Sequence, residues 1–288
     1  MRLIVGLAQI YPKLGDVQAN LARHLEWIAQ AGAQGADLVV FPELSLTGYY
    51  VQDMVPEVAI RATRDDEAFR ALLDASASGP DLVVGFVHAD TRQRFYIASA
   101  YLSRGQCLHI HHKVYLPTYG MFDDGRYFDQ GSAIRAFDTR FGRMGMLICE
   151  DFWHMSAPYV LWQDGADLLI FTSCSPSRGV SASEGGRLTV SRWVELMTQA
   201  YASAFTAYVV HVNRVGYEDG RNYWGGSSIT DPDGEFLTRG LYFDEALIVQ
   251  EIDLNQIHRT RSQLPLLRDE RPHLVQRELA RILNGQDA

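Results

Sequence analysis

Three cysteines among 288 residues are too few for a disulfide framework, and Cys107, Cys149 and Cys174 all lie in apolar segments, as in a reducing compartment. No stretch approaches the ~18 apolar residues of a membrane-crossing helix. The apolar run at residues 3–8 is too short for a signal peptide and lacks a cleavage region. No run of Lys and Arg offsets the net charge of -9, so nucleic acid and anionic membranes are poor partners. Low-complexity segments and a Gly/Pro/Ser linker are also missing. The expectation is a soluble cytoplasmic protein that meets small molecules or other proteins, built as one domain over 1–254 followed by a charged C-terminal arm over 255–288.

What is present is ordinary globular material: 47% hydrophobic and 21% charged residues, in a chain long enough to hold a sizeable core. Its pattern alternates. The β-rich run at 3–8 is followed by a helix capped by Asp16, with Leu21, Leu25 and Ile28 on one face. A second buried strand at 35–41 precedes a helix at 65–75 and two strands at 81–88 and 95–102. Residues 165–171 (GADLLIF) echo 35–41 (GADLVVF), a hint of internal repetition. The span 188–204 reads as an amphipathic helix with Trp193, Leu196, Met197, Ala200 and Ala204 on its apolar stripe. Strands at 208–212, 227–230 and 246–252 close an α/β pattern.

Three strands end in polar chemistry. Pro42 stops the second and leaves Glu43 at its tip. In the strand from 106, a two-residue period puts His109, His111 and Lys113 on one face and His112 on the other, with Lys113 where the strand runs out. The run 145–149 ends at Cys149, and the acidic Glu150 and Asp151 begin a turn into a helix over 155–163. Amides freed at a helix start favour a thiolate and a developing oxyanion. Functional groups of α/β sheets collect at strand ends, so an acid, an amine and a thiol could converge there and perform acyl transfer. Taken singly, each residue reads first as a surface ion or a core thiol; the conjunction carries the inference. The histidines lack the second ligand cluster of a metal site, so no metal is expected. Cys174 reads as a small buried residue, and Gly225-Gly226 has no phosphate-loop context.

The segments 41–49 (FPELSLTGY), 112–128 (HKVYLPTYGMFDDGRYF) and 147–153 (LICEDFW) resemble the three ordered blocks of the nitrilase, or carbon-nitrogen hydrolase, superfamily. The resemblance implies an αββα sandwich, usually a homodimer or larger homo-oligomer, with Glu43 as general base, Lys113 in the oxyanion site and Cys149 as nucleophile. Within the superfamily the chain is similar to the glutaminase domain of glutamine-dependent NAD synthetase, through 119–128, 149–153, 212–216 and 225–228. That similarity implies a glutamine pocket lined by Tyr119, Glu150, Trp153 and Ser175. Asp124 stands where the family usually carries a second glutamate, one methylene shorter. The chain shows no ATP-using synthetase segment with its Ser-Gly-Gly loop. Either a separate NAD synthetase subunit receives the ammonia, or the chain is a free-standing amidase.

The resulting expectation is a cofactor-independent thiol hydrolase that releases ammonia from a small carboxamide, glutamine among the candidates. The alternatives are an N-carbamoyl amide hydrolase or nitrilase using the same three residues, or a non-catalytic regulatory or binding subunit that keeps the fold.

Overall fold

The structure, a computed structural model, describes residues 1–179 and 188–285. The last three residues of the expected C-terminal arm lie outside the described residues.

Two six-stranded sheets form its centre. The first contains β1 (Arg2–Gln9), β2 (Leu38–Val40), β3 (Asp81–Ala89), β4 (Phe95–Ser103), β5 (Gln106–His112) and β14 (Ala246–Asp253), in the order β14-β1-β2-β3-β4-β5. The second contains β6 (Phe137–Thr139), β7 (Gly142–Ile148), β8 (Leu168–Ser173), β9 (Tyr208–Asn213), β12 (Ser228–Thr230) and β13 (Phe236–Arg239), in the order β13-β12-β9-β8-β7-β6. A separate hairpin joins β10 (Val215–Glu218) to β11 (Arg221–Trp224).

Strand alternation explains the layering. Leu3, Val5 and Leu7 of β1 pack with Val83 against Met144, Met146, Ile170 and Val210, making the core between the sheets. The opposite faces meet helices. Helices α1 (Val17–Ala33) and α3 (Glu67–Ser78) cover the first sheet through Leu21, Ile28, Phe69 and Leu72. Asp16 and Asp66 cap them by accepting from Ala19 N and Phe69 N, each contact contributing about 1 kcal/mol. Helices α5 (Ser156–Gln163) and α6 (Thr189–Phe205) cover the second sheet through Leu161, Trp162, Val194 and Tyr201. The order helix, sheet, sheet, helix is the αββα sandwich. Single turns α2 (Val55–Val58) and α4 (Asp124–Tyr127) lie in the connections.

The sequence echo has a structural counterpart. Residue 37 donates to Ile4 O and residue 167 to Arg143 O, both at 2.8 Å, so each GAD turn enters a strand paired in parallel on both sides. Gly35 and Gly165 have φ of 81° and 86°, which glycine adopts without steric cost.

Helix α6 corrects the expected stripe. Trp193 and Leu196 are 49% and 45% exposed, whereas Ser191, Val194, Glu195, Thr198, Tyr201, Ala202 and Phe205 face inward. The inward polar groups find distant partners: Tyr201 Oη donates to Phe152 O, and Tyr242 Oη to Glu195 Oε1. Paired in this way, the more polar face is the one that can be buried.

At the C-terminus α7 (Asn255–Gln263) is anchored by Ile257 in the inter-sheet core and by an Arg261–Asp167 ion pair. Helices α8 (Leu266–Asp269) and α9 (Pro272–Leu283) follow, and neither has a buried residue. Among the described residues no helix is long and apolar enough to cross a membrane.

Candidate active site

Glu43, Lys113 and Cys149 follow β2, β5 and β7, and the fold brings them together. The chain after Pro42 lies directly on β3. A Cβ at Gly85 would stand 2.3 Å from Pro42 O and 2.6 Å from Leu44 N, so only glycine allows this approach. Glu43 is fully buried. Its Oε1 accepts from Lys113 Nζ at 2.8 Å and its Oε2 from Cys174 N at 2.7 Å, while Cys174 Sγ donates to Glu43 O at 3.0 Å.

Strand β5 stops at His112, one residue short of Lys113, whose amide donates to Ile97 O. The Lys113 ammonium also donates to Asp124 Oδ2 at 2.8 Å, and Asp124 Oδ1 accepts from Tyr49 Oη at 2.5 Å. One buried cation thus sits between two carboxylates, which is how a charge survives burial.

Cys149 opens a 3-10 turn, Cys149–Trp153, with φ of 46°. The turn expected after Cys149 is this 3-10 segment, and the helix expected over 155–163 is α5, which begins at Ser156. The left-handed backbone of Cys149 ends the strand abruptly, a conformation costing about 1–3 kcal/mol that surrounding contacts must hold.

Burial pushes the Cys149 thiol well above its ordinary value, and the charge of Glu43 adds to this while Lys113 opposes it. Burial also raises the Glu43 carboxyl; Lys113 pulls it down and Asp124 pushes it up, with a net rise. For Lys113, burial works against the charged form, but Asp124 and Glu43 outweigh it and hold the ammonium well above the usual range. Burial thus favours a neutral thiol, and the two acidic partners favour the ammonium.

Cys149 borders a cleft of about 380 Å³, within the range of small-molecule sites. Tyr119, Glu150, Trp153 and Ser175 line it, together with Phe122, Pro176, Arg178 and Trp193. Tyr119 Oη donates to Glu150 Oε2 at 2.9 Å; burial, then that bond, pushes the phenol up to about 12. Ser175 Oγ accepts from Trp224 Nε1 at 3.1 Å. Asp124 is not among the lining residues; it is buried and directed at Lys113.

Sequence reasoning missed Tyr49, Arg178 and the part Cys174 takes in holding Glu43. Tyr49 closes the first quoted block, so position alone could have flagged it. Trp193 was assigned to a buried stripe and instead stands at the cleft.

The three histidines go separate ways. His109 stacks on Phe137, His111 meets Asp151, and His112 stacks on Tyr96 beside His88. Among the described residues no group of three or more His, Cys, Asp or Glu side chains could hold a metal ion.

Sandwich and cleft together define a four-layer α/β hydrolase with acid, amine and thiol gathered at strand ends. The chain belongs to the carbon-nitrogen hydrolase family, whose model matches residues 4–262, and it is a carbon-nitrogen hydrolase enzyme. It is 30% identical over 258 residues to the glutamine-dependent NAD(+) synthetase of Thermotoga maritima, covering 88% of this chain but 43% of that protein. The chain therefore spans less than half the length of this curated relative. A solved glutamine-dependent NAD+ synthetase from Acinetobacter baumannii superposes with a TM-score of 0.80 at 30% identity, over 89% of this chain and 47% of the other. A carbon-nitrogen hydrolase from Helicobacter pylori G27 shares the fold end to end, with a TM-score of 0.84 at 21% identity over 97% and 99% of the two chains.

Proposed function

We propose that this hydrolase is a cofactor-independent thiol amidase that cleaves the side-chain amide of glutamine through a thioester on Cys149. The observation that carries the reading is the Glu43–Lys113–Asp124 cluster beside a cysteine that opens onto a cleft. Glu43 takes the Sγ proton as the sulfur attacks the amide carbon. The Lys113 ammonium and a backbone N–H near Glu150 hold the oxyanion. Collapse breaks the C–N bond, and Glu43 returns the proton to the leaving nitrogen, releasing ammonia. Water then gives a proton to Glu43 and attacks the thioester, and the regenerated thiolate takes that proton back. The sum is amide plus water to acid plus ammonia.

Glutamine, rather than a simple amide, is supported by the charges around the cleft. Glu150 offers a carboxylate for an α-ammonium group and Arg178 a guanidinium for an α-carboxylate. Ser175 and Tyr119 add polar groups to the lining. Transfer of the ammonia to a separate NAD synthetase subunit is supported by relatives whose names couple glutamine to NAD synthesis and whose length extends well beyond this chain.

The test is ammonia release from glutamine, simple amides, N-carbamoyl compounds and nitriles, with intact-mass detection of acyl adducts on wild type and Cys149→Ala. Turnover of glutamine with an adduct confined to Cys149 is expected, and added NAD synthetase should then form NAD from glutamine. Release from carbamoyl compounds or nitriles alone would replace glutamine as substrate. No release and no adduct from any of them would leave a non-catalytic subunit.

A further inference from the structure

Lys113 and Cys149 belong to different sheets. Lys113 follows β5 at one edge of the first sheet, and Cys149 follows β7 in the second. Among the described residues no backbone ladder joins those sheets, so their separation is set largely by side chains. An error of about 1 Å in such a spacing can cost on the order of 10²-fold in rate.

Beside Lys113 and Cys149 a polar group that spans the gap is Asp151, two residues beyond Cys149 and fully buried. Its Oδ2 accepts from Ile148 N at 3.0 Å, closing the turn that carries Cys149. Its Oδ1 accepts from Val114 N and Tyr115 N, both at 2.9 Å, gripping the loop that leaves Lys113. The fourth contact is His111 Nε2, which donates to Oδ2 at 2.8 Å from the last turn of pleat before Lys113. His111 is 2% exposed. One carboxylate thus takes three backbone donors and one ring donor, and these come from both sides of Lys113 and from the strand end before Cys149. Neither residue lines the cleft.

We propose that His111 and Asp151 are positioning residues, a clamp between the two sheets that sets Lys113 against Cys149 and holds the left-handed turn of the nucleophile. The inference rests on the reading of Lys113 and Cys149 as a working pair. His111 supplies the only side-chain donor among the four contacts, so it can be changed without removing the acceptor.

The experiment compares His111→Phe, which keeps a ring of similar size but no donor, with His111→Gln, whose amide restores one. Four quantities are read: kcat and KM for glutamine, the rate of iodoacetamide alkylation at Cys149 by peptide mass spectrometry, and Tm. His111→Phe should lower kcat by about 10- to 100-fold, leave KM within about 3-fold and slow alkylation of Cys149. His111→Gln should recover most of both rates. A His111→Phe protein with unchanged kcat and alkylation, one whose only change is a lower Tm, or a loss that His111→Gln does not restore would each overturn the clamp. If His111→Phe does not fold, Asp151→Asn replaces it: its amide nitrogen cannot accept from Ile148 N, so the same loss of kcat and alkylation rate at near-constant KM is expected. Unchanged rates in that variant would overturn the clamp equally. Wild type that alkylates at Cys149 yet hydrolyses no amide would remove the glutaminase reading while leaving the alkylation comparison intact.

Discussion

Lys113 and Asp124 meet through a 2.8 Å contact between Nζ and Oδ2, and the other oxygen of the same carboxylate is held by the Tyr49 hydroxyl. The shorter side chain at position 124 still reaches the ammonium because Tyr49 fixes it from the opposite side. Its removal acts through Lys113. Asp124→Asn should lower kcat on the order of 10²-fold with a smaller change in KM, since the ammonium loses one of two anionic partners. Steady-state kinetics check this, and wild-type kcat in Asp124→Asn would show the contact to be dispensable.

The acid limb of the pH–rate profile should belong to Glu43. Burial raises its carboxyl above the ordinary value of 4.5, so the base is lost as pH falls through that raised pKa. The midpoint of kcat/KM on the acid side is therefore expected above 4.5. Lys113, held well above 10.5, should contribute no loss near neutrality. A limb at or below the ordinary glutamate value, measured across buffers of constant ionic strength, would assign it elsewhere.

Charge at the cleft predicts a split between substrates. Glu150→Gln should raise KM for glutamine by about 10-fold or more while changing hydrolysis of an uncharged amide such as propionamide little, because only glutamine presents an ammonium. Arg178→Ala should act in the same sense but by only a few-fold, since this side chain is exposed and screened. Equal effects on both substrates would place the two residues outside substrate recognition.

Stability should fall on the acid side of pH 6.5. His24 is buried, bonded to Asn20 O and Ser45 Oγ, and burial lowers its pKa from 6.5 to about 4. Burial likewise takes His211 down to about 3. The unfolded chain binds these protons first, so stability present above pH 6.5 is lost progressively down to about pH 4 for His24, an effect of roughly 3 kcal/mol. Urea unfolding at a series of pH values measures it. His24→Gln should flatten the slope between pH 6.5 and 4, and an unchanged slope would exclude His24 as its source.

The outward face of α6 predicts self-association. Leu196 and Trp193 are half exposed on one helix, an arrangement that a second copy of the chain would bury. Sedimentation should show a dimer or larger species for wild type and a shift toward monomer for Leu196→Glu. A monomeric wild type would remove the proposal.

Much of the site was legible because strand ends are legible. Strands that run out at Pro42, Lys113 and Cys149 announce where polar chemistry emerges, and the order of the three blocks supplied the rest. Tyr119, Glu150 and Trp153 lie in the same blocks, Ser175 came from the similarity to the glutaminase domain, and all four line the cleft. The face of α6 was not legible: inside the protein Tyr242 donates to Glu195 and Phe152 O accepts from Tyr201, and neither partner is near in sequence. Cys174 looked like inert packing, since nothing local reveals that its N–H and S–H both serve Glu43.

By itself, the sequence determined the succession of strands and helices, the two repeated GAD turns and the three positions where polar chemistry leaves a buried strand, because these depend on periodicity and on neighbours a few residues away. Tertiary structure alone decided which carboxylate faces which ammonium, that Asp124 reaches Lys113 with the help of Tyr49, and that Asp151 ties one sheet to the other. Those pairings join residues brought close only when the two sheets pack, and in a dry interior each buried polar group must find its partner wherever the packing puts one.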